Sequence, residues 1–220
     1  MKNEKKNMKK AKRFLTTLLA ICMLLGTGCV FTSCSKAPSV EDIYDRVVEL
    51  MEASHELNTV FYGAGLPIYE RDSEYAEINH VYYGNNNDRY EMVTPSSKFL
   101  SEQQIREAAE KVFSEAYLEE VIYPLAFVGY AIKDGMGSQT FVYASYMEDG
   151  EWLYRYSEMD DYLKDGMRVY DYSTMEVISP SNADACYVTI DSWYPDEPDV
   201  IISERIRLVR QNDQWYIDSL

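Results

Sequence analysis

The most constraining feature of this chain is a long apolar stripe that begins just after Ser39. Its members recur every three or four residues, which predicts an amphipathic α-helix; they are Val40, Ile43, Tyr44, Val47, Val48, Met51, Ala53, Leu57 and Phe61. Ser39 and Asp42 match a capping pair at the start, and Gly63 and Pro67 predict the end. The helix runs either unbroken or with a bend near residues 58–59. The apolar stripe of this helix has to be buried, so the stripe predicts which residues form the core.

A second helix is predicted over residues 101–117, where Ser101 and Gln104 match a capping box. Its apolar face consists of Ile105, Ala108, Ala109, Val112, Phe113 and Ala116. A further short helical segment is predicted from Ser114 to Ile122, and it should end before Pro124 because proline removes a backbone donor.

The rest of the chain predicts antiparallel strands. Residues 74–94 read as two strands joined by a turn at Gly84–Asp88. From residue 126 onward the pattern is β, with hairpin turns predicted at Glu148–Gly150 and at Asn212–Asp213.

Helices that precede a run of strands predict an α+β fold. We expect the N-terminal helices to pack on one face of a curved antiparallel sheet, with the 74–94 hairpin inserted between them. Residues 39–220 are predicted to form a single domain, or alternatively two lobes over 39–125 and 126–220.

The N-terminus predicts export. Residues 1–13 carry seven Lys/Arg and one Glu, and residues 14–25 are apolar apart from two Thr. This is the pattern of a secretory signal, and the apolar run is shorter than the roughly 20 residues of a membrane span. The alternative is an uncleaved N-terminal anchor helix.

The residues that follow resemble a bacterial lipobox, in which a cysteine is lipidated and becomes the new N-terminus. Cys34 is favoured because polar Ser35 and Lys36 follow it, with Cys29 as the alternative. Residues 1–33 are then a lipoprotein signal peptide and 34–38 a short tether. The resemblance implies an extracytoplasmic protein anchored to the cell membrane through lipid.

Charge excludes one class of partner. Removing residues 1–33 leaves 21 − 7 = 14 basic and 37 − 1 = 36 acidic residues, a net charge of −22. Such a surface repels nucleic acid phosphates and anionic lipids. We therefore predict no nucleic acid partner.

Residues that commonly carry chemistry are sparse. Once the N-terminal cysteines are assigned to the signal and the anchor, Cys186 has no other cysteine to pair with. We therefore predict that it occupies a buried apolar position rather than a disulfide or zinc site. His55 and His80 lie in different predicted elements without ligand spacing. No nucleophile or phosphate-binding motif occurs. We predict no metal, no cofactor and no catalytic residues.

The twenty tyrosines and one acidic loop supply the candidate binding residues. A small-ligand binder should line a deep cavity with tyrosines from several strands: Tyr143, Tyr154, Tyr170 and Tyr187. A protein binder should instead present an ordered, protruding loop. The candidates for that loop are Gly84–Asp88 and residues 193–199, with Trp193, Tyr194, Asp196 and Glu197.

The chain also resembles two known protein families. IRLVRQNDQWYIDSL, with its polar turn and Trp215-Tyr216-Ile217, resembles the closing hairpin of NTF2-like and cystatin-like domains. The helix ending in FYGAGLP, the Tyr-rich strands and SEQQIREAAEKVFSEAY resemble secreted bacterial inhibitors of cell-wall DL-endopeptidases. The second resemblance implies a non-enzymatic protein that covers a hydrolase cleft. Neither transfers a functional residue.

Together these patterns predict an exported, lipid-anchored envelope protein that acts by binding and restrains a cell-wall hydrolase. Its expected partners are the membrane, through the anchor, and a cell-wall enzyme or a peptidoglycan fragment. One alternative is an NTF2-like domain that binds a small ligand or catalyses a reaction. The other is a structural accessory lipoprotein.

Overall fold

The computed structural model describes residues 36–69, 81–83, 89–133, 139–159 and 168–219, with backbone alone at 81–83, 133 and 139. The described residues from 37 onward form one compact unit. The predicted signal peptide, Cys29, Cys34, His80 and the Gly84–Asp88 turn lie outside the described residues.

The first helix, α1, spans Val40–Tyr62 without a break, as the stripe predicts. The Asp42 carboxylate accepts hydrogen bonds from the backbone N–H and the hydroxyl of Ser39, both at 2.9 Å, which confirms the capping pair. The helix ends where the Gly63 N–H donates to the carbonyls of Asn58 and Thr59. At about 1.5 Å per residue, α1 is about 35 Å long.

The predicted second helix is two helices. Helix α2 spans Glu102–Ala109 and α3 spans Glu115–Tyr117, followed by π-helical turns over Leu118–Ile122 and Pro124–Val128. The predicted helix over 101–117 ends early, at Ala109, because Phe113 pairs with Ile217 of the last strand. The separate helical segment predicted from Ser114 to Ile122 is confirmed, and Ser114 caps it through the Tyr117 N–H.

Pro124 does not end the helical segment. Proline lacks an N–H, but the first residue of a helical turn needs no donor, and Pro124 stands at that position. Strand structure consequently begins at Tyr130 rather than at residue 126.

In the described part of the chain, ten strands form three antiparallel arrangements. A four-stranded sheet, the small sheet, has the order β1-β2-β6-β5; its strands are β1 Val81–Tyr83, β2 Arg89–Met92, β5 Tyr146–Asp149 and β6 Trp152–Tyr156. A two-stranded ribbon pairs β3 Tyr130–Lys133 with β4 Gln139–Val142. The large sheet has the order β10-β9-β8-β7; its strands are β7 Val169–Ile178, β8 Ala185–Trp193, β9 Ile202–Gln211 and β10 Gln214–Ser219.

The large sheet turns one face to α1. Along β8 the even residues Cys186, Val188, Ile190 and Ser192 are buried, and the odd residues between them are partly exposed. The β9–β10 hairpin turns at Asn212 and Asp213, whose φ angles of 50° and 64° suit a two-residue turn. This confirms the predicted closing hairpin.

The two ends of α1 contact different parts of the molecule. Near its start, Arg46 donates to the carbonyls of Trp215 and Lys111, each at 3.0 Å. Near its end, the Val60 carbonyl accepts from the buried Tyr146 hydroxyl at 2.8 Å. The chain preceding Val40 therefore joins the domain at the end opposite the small sheet.

Helices and antiparallel sheets thus coexist, as predicted for an α+β fold. The hairpin inserted between the helices, β1–β2, joins β5–β6 in the small sheet. A single apolar cluster links α1, the helical segment and the large sheet, and it reaches the small sheet through Tyr146 and Leu153. A second, smaller cluster contains Tyr69, Tyr90, Met92 and Tyr154.

Candidate binding surfaces

The predicted loop after β8 is fixed at its base. We name residues 193–202 the acidic-aliphatic loop. The Glu197 N–H donates to the Tyr194 carbonyl and the Val200 N–H to the Glu197 carbonyl, both at 3.0 Å, so two turns order its backbone. The Arg168 guanidinium lies 4.5 Å from the centre of the Tyr194 ring. These contacts give the loop a defined shape.

Arg168 ties this base to the large sheet. Its Nε lies 3.1 Å from the Ser192 hydroxyl and 3.2 Å from a carboxylate oxygen of Glu204. The Ser192 hydroxyl in turn donates to the Ile202 carbonyl at 3.1 Å. The two ends of the loop are therefore held together by side chains as well as by the β8–β9 ladder.

Beyond its base the loop is exposed. Asp196 and Glu197 are exposed, and the three consecutive aliphatic residues Val200, Ile201 and Ile202 are 51%, 62% and 43% exposed. Contiguous apolar surface next to polar residues is typical of protein interaction sites. Sequence reasoning identified the aromatic and acidic residues of this loop but missed the aliphatic ones, because a V-I-I run before a strand reads as buried.

The four tyrosines proposed as cavity residues are dispersed. The Tyr187 ring lies under the Arg205 guanidinium at 4.0 Å, and Tyr143 packs on Tyr156 at 5.2 Å. Tyr154 is buried in the smaller apolar cluster, and Tyr170 packs against His55. The linings of the two cavities described below include none of these tyrosines. They are packing residues in different places.

Tyr170 belongs to a polar patch between α1 and the large sheet. Its ring centre is 5.7 Å from that of His55, and burial, with Glu204 nearby, raises the pKa of Tyr170 to about 12. Among the described residues, His55 Nε2, Asn58 Oδ1 and Arg168 Nη2 are buried without a hydrogen-bond partner. Burial also lowers the pKa of His55, although Glu52 opposes this. The patch disfavours a charged His55.

A groove runs between α1 and α2 and ends at β10. We name it the interhelical groove; its volume is about 760 Å³. Its apolar lining includes Leu50, Leu57, Phe99 and Val112, and its charged lining consists of Arg46, Glu49, Glu56, Lys98, Glu107, Glu110 and Lys111. Sequence reasoning missed this groove, because it depends on how two amphipathic helices diverge.

A smaller cavity of about 390 Å³ adjoins the groove, since Glu110 and Tyr216 line both. It adds two acidic residues, Glu115 and Glu119, and none of its lining residues is basic. The Tyr123 hydroxyl donates to Glu110 at 3.4 Å. The two cavities share Glu110 and Tyr216, and the lining of the smaller cavity, toward α3, is the more acidic of the two.

Residues suited to metal binding do not come together in the described part of the chain. No group of three or more His, Cys, Asp or Glu is arranged to hold a metal ion there. Cys186 is buried on the core face of β8, and burial raises the pKa of its thiol to about 11. A thiol of such high pKa is a poor nucleophile at neutral pH.

No protein-family model matches the chain, and no curated protein matches it by sequence. Among the described residues, no helix is both long and apolar enough to cross a membrane.

Proposed function

We propose that this protein is an exported, lipid-anchored envelope protein that binds a cell-wall hydrolase through the acidic-aliphatic loop and restrains it. The observation that carries the proposal is the loop itself, where three exposed aliphatic side chains follow exposed carboxylates on a fixed base. Aliphatic side chains supply affinity on desolvation, and the carboxylates favour a partner with a basic surface. The chain acts by binding and not as an enzyme.

The position of the loop supports this role. Tyr170 lies beside His55 in the C-terminal half of α1, and it pairs with Ser192 just before the loop. The chain that precedes Val40 joins the domain at the other end of this helix. A tether at one end and a binding loop toward the other suit a protein that reaches from a membrane to an envelope enzyme.

The same proposal includes the NTF2-like or cystatin-like arrangement. It is supported by α1 packing against a four-stranded antiparallel sheet that ends in the β9–β10 hairpin. The scattered tyrosines count against the deep ligand cavity that an enzyme on this fold would need. Fold alone implies no activity, so the proposal depends on the loop.

The test uses the full chain in mild detergent with purified peptidoglycan hydrolases. We expect saturating protein to slow peptidoglycan release, and the substitution Ile201→Asp to weaken inhibition at least about tenfold, since it places a charge in a desolvated interface. The matched control is Val121→Asp, because Val121 is 44% exposed on the π-helical segment away from the loop. Unchanged hydrolysis at saturation, or equal inhibition by Ile201→Asp, would refute the proposal.

A second variant separates charge from apolar contact. The double substitution Asp196→Asn and Glu197→Gln should slow association with a basic hydrolase and reduce its dependence on salt, with less effect on dissociation. Surface plasmon resonance at two ionic strengths measures both rates. An association rate unaffected by these substitutions would show that the carboxylates lie outside the contact.

A further inference from the structure

We propose that the two-stranded ribbon formed by β3 and β4 is the interface through which two copies of this protein associate. The ribbon pairs Tyr130–Lys133 with Gln139–Val142, and it does not include the acidic-aliphatic loop. The proposed association therefore neither contains nor requires the binding of a hydrolase.

The base of the ribbon is held by the rest of the molecule. The Gly129 N–H donates to the Pro124 carbonyl at 2.8 Å, and the Tyr90 hydroxyl donates to the Ala144 carbonyl at 3.0 Å. Gly129 has a φ of 70°, and a Cβ atom there would lie 2.7 Å from the Val142 carbonyl oxygen. Only glycine therefore lets β3 begin this close to β4. These contacts order the base of the ribbon without a partner.

Apolar side chains are exposed on both faces of the ribbon. Tyr130 and Ile132 are 48% and 51% exposed, and Phe141 is 49% exposed. Neighbouring residues of a strand point to opposite faces. Phe141 pairs with Ala131, so it lies on the face opposite Tyr130 and Ile132. Val128, just before the ribbon, is 73% exposed. The fold leaves all of these side chains open to solvent.

The edges of the ribbon add to this exposed surface. In the described part of the chain, no third strand pairs with β3 or β4. A two-stranded hairpin alone is at best marginally stable in water, and an open strand edge can pair with a strand of another molecule. Strand β4 contains neither a charged residue nor a proline, which are the residues that commonly block such pairing. The faces and the β4 edge therefore both favour contact with a second molecule.

The distribution of charge identifies that molecule as a second copy. Residues 121–147 contain one Lys and one Asp, so this stretch has no net charge. The other residues from 34 onward include 14 − 1 = 13 basic and 36 − 1 = 35 acidic residues, a net charge of −22. Two copies therefore repel each other through most of their surfaces, but not through the ribbon. An uncharged surface offers no electrostatic attraction to a basic or acidic protein, whereas a two-fold axis places the ribbon against an identical uncharged ribbon.

The size of the exposed surface predicts a weak dimer. A buried aromatic side chain covers about 150–250 Å². With about half or more of each side chain exposed, Val128, Tyr130, Ile132 and Phe141 together expose roughly 400 Å² per copy, or about 800 Å² in a dimer. Interfaces smaller than about 1,200 Å² are typical of transient complexes. Standard-size interfaces reach from about micromolar to picomolar affinity, so we expect this one at the weak end, with a dissociation constant of about 10 µM.

The experiment is sedimentation equilibrium of the full chain in mild detergent, with micelles in large excess so that two copies rarely share one micelle. We expect mostly dimers at about 100 µM protein and mostly monomers at about 1 µM. Ile132→Asp should weaken self-association at least about tenfold, since it places a charge in a desolvated interface. Tyr130→Ser removes an aromatic side chain from the same face without adding charge, and it should weaken self-association as well.

The matched control is Val200→Asp, because Val200 is 51% exposed, as Ile132 is, but lies in the acidic-aliphatic loop. This variant should dimerise as the wild type does, and circular dichroism melting verifies that each variant folds. A wild type that stays monomeric at the higher concentration would refute the proposal and leave the ribbon to a lipid surface or a different protein. Undiminished association of Ile132→Asp and Tyr130→Ser, or an equal loss in Val200→Asp, would also refute it. None of these results decides whether the loop inhibits a hydrolase, so the two proposals fail separately.

Discussion

At the scale of single residues, Tyr146 joins the end of α1 to the small sheet. Its hydroxyl donates to the Val60 carbonyl at 2.8 Å and accepts from the Leu66 N–H at 3.0 Å, and the side chain is buried. Tyr146→Phe leaves both backbone groups buried without a partner, so we expect a loss of about 2 kcal/mol in the free energy of unfolding. Urea denaturation measures it. Tyr130→Phe, at an exposed tyrosine, is the control and should change the free energy little.

His55 makes stability depend on pH. Burial lowers its pKa in the folded state below the ordinary 6.5. The unfolded chain therefore binds more protons just below pH 6.5, and the stabilisation present above this pH is lost as the pH falls through it. We expect the free energy of unfolding to decrease from pH 7.5 to pH 5.5, and to decrease less in His55→Phe. Parallel pH profiles for the two proteins would show that His55 does not titrate differently on folding.

At the scale of elements, Arg46 connects three of them. It lies on α1, donates to the Trp215 carbonyl of β10 and to the Lys111 carbonyl after α2, and its side chain is 23% exposed. Hydrogen bonds from a charged group are worth more than neutral ones, so Arg46→Met should lower the free energy of unfolding by about 2 kcal/mol. The ammonium group of lysine cannot reproduce the forked guanidinium, which donates in two directions. Arg46→Lys should therefore not recover the lost free energy of unfolding.

The matched control for this prediction is Arg210→Met. Arg210 forms an ion pair at 3.2 Å with Asp213, which is almost fully exposed, and such surface pairs contribute about 0.5 kcal/mol. Urea denaturation of the three variants gives the comparison. Equal losses for Arg46→Met and Arg210→Met would mean that Arg46 does not hold the elements together.

Elements were predictable where periodicity and local signals agree. The α1 stripe, its Ser39–Asp42 cap and the Asn212–Asp213 turn depend on neighbours in sequence, and all three are confirmed. The new helix start at Ser114 was predicted, but the end of α2 at Ala109 was not, because the pairing of Phe113 with Ile217 joins residues far apart in sequence. The groove was missed for the same reason. The groove forms where two helices pack together, which no local sequence pattern specifies. The acidic-aliphatic loop was predicted because its turn residues and charges are neighbours in sequence.

At the scale of the whole molecule, the two ends of the long helix contact different parts of the fold. The preceding chain joins at the start of α1, while Val60 near its end contacts the small sheet. About 35 Å of helix lies between them. Exposed aliphatic residues of the acidic-aliphatic loop lie toward the second of these ends, and the interhelical groove extends along the helix.

We propose that a lipid anchor precedes α1, and this proposal can be tested directly. Without residues 1–33 the chain has a net charge of −22, which repels anionic lipids, whereas acyl chains contribute about 0.8 kcal/mol for each buried CH₂ group. We therefore expect the mature chain to begin at an acylated Cys34 and to stay in the membrane fraction. Cys34→Ser should abolish acylation and membrane retention, and Cys29→Ser should preserve both. Mass spectrometry of the mature N-terminus and fractionation measure this, and an acylated Cys29 or an unmodified terminus would contradict it.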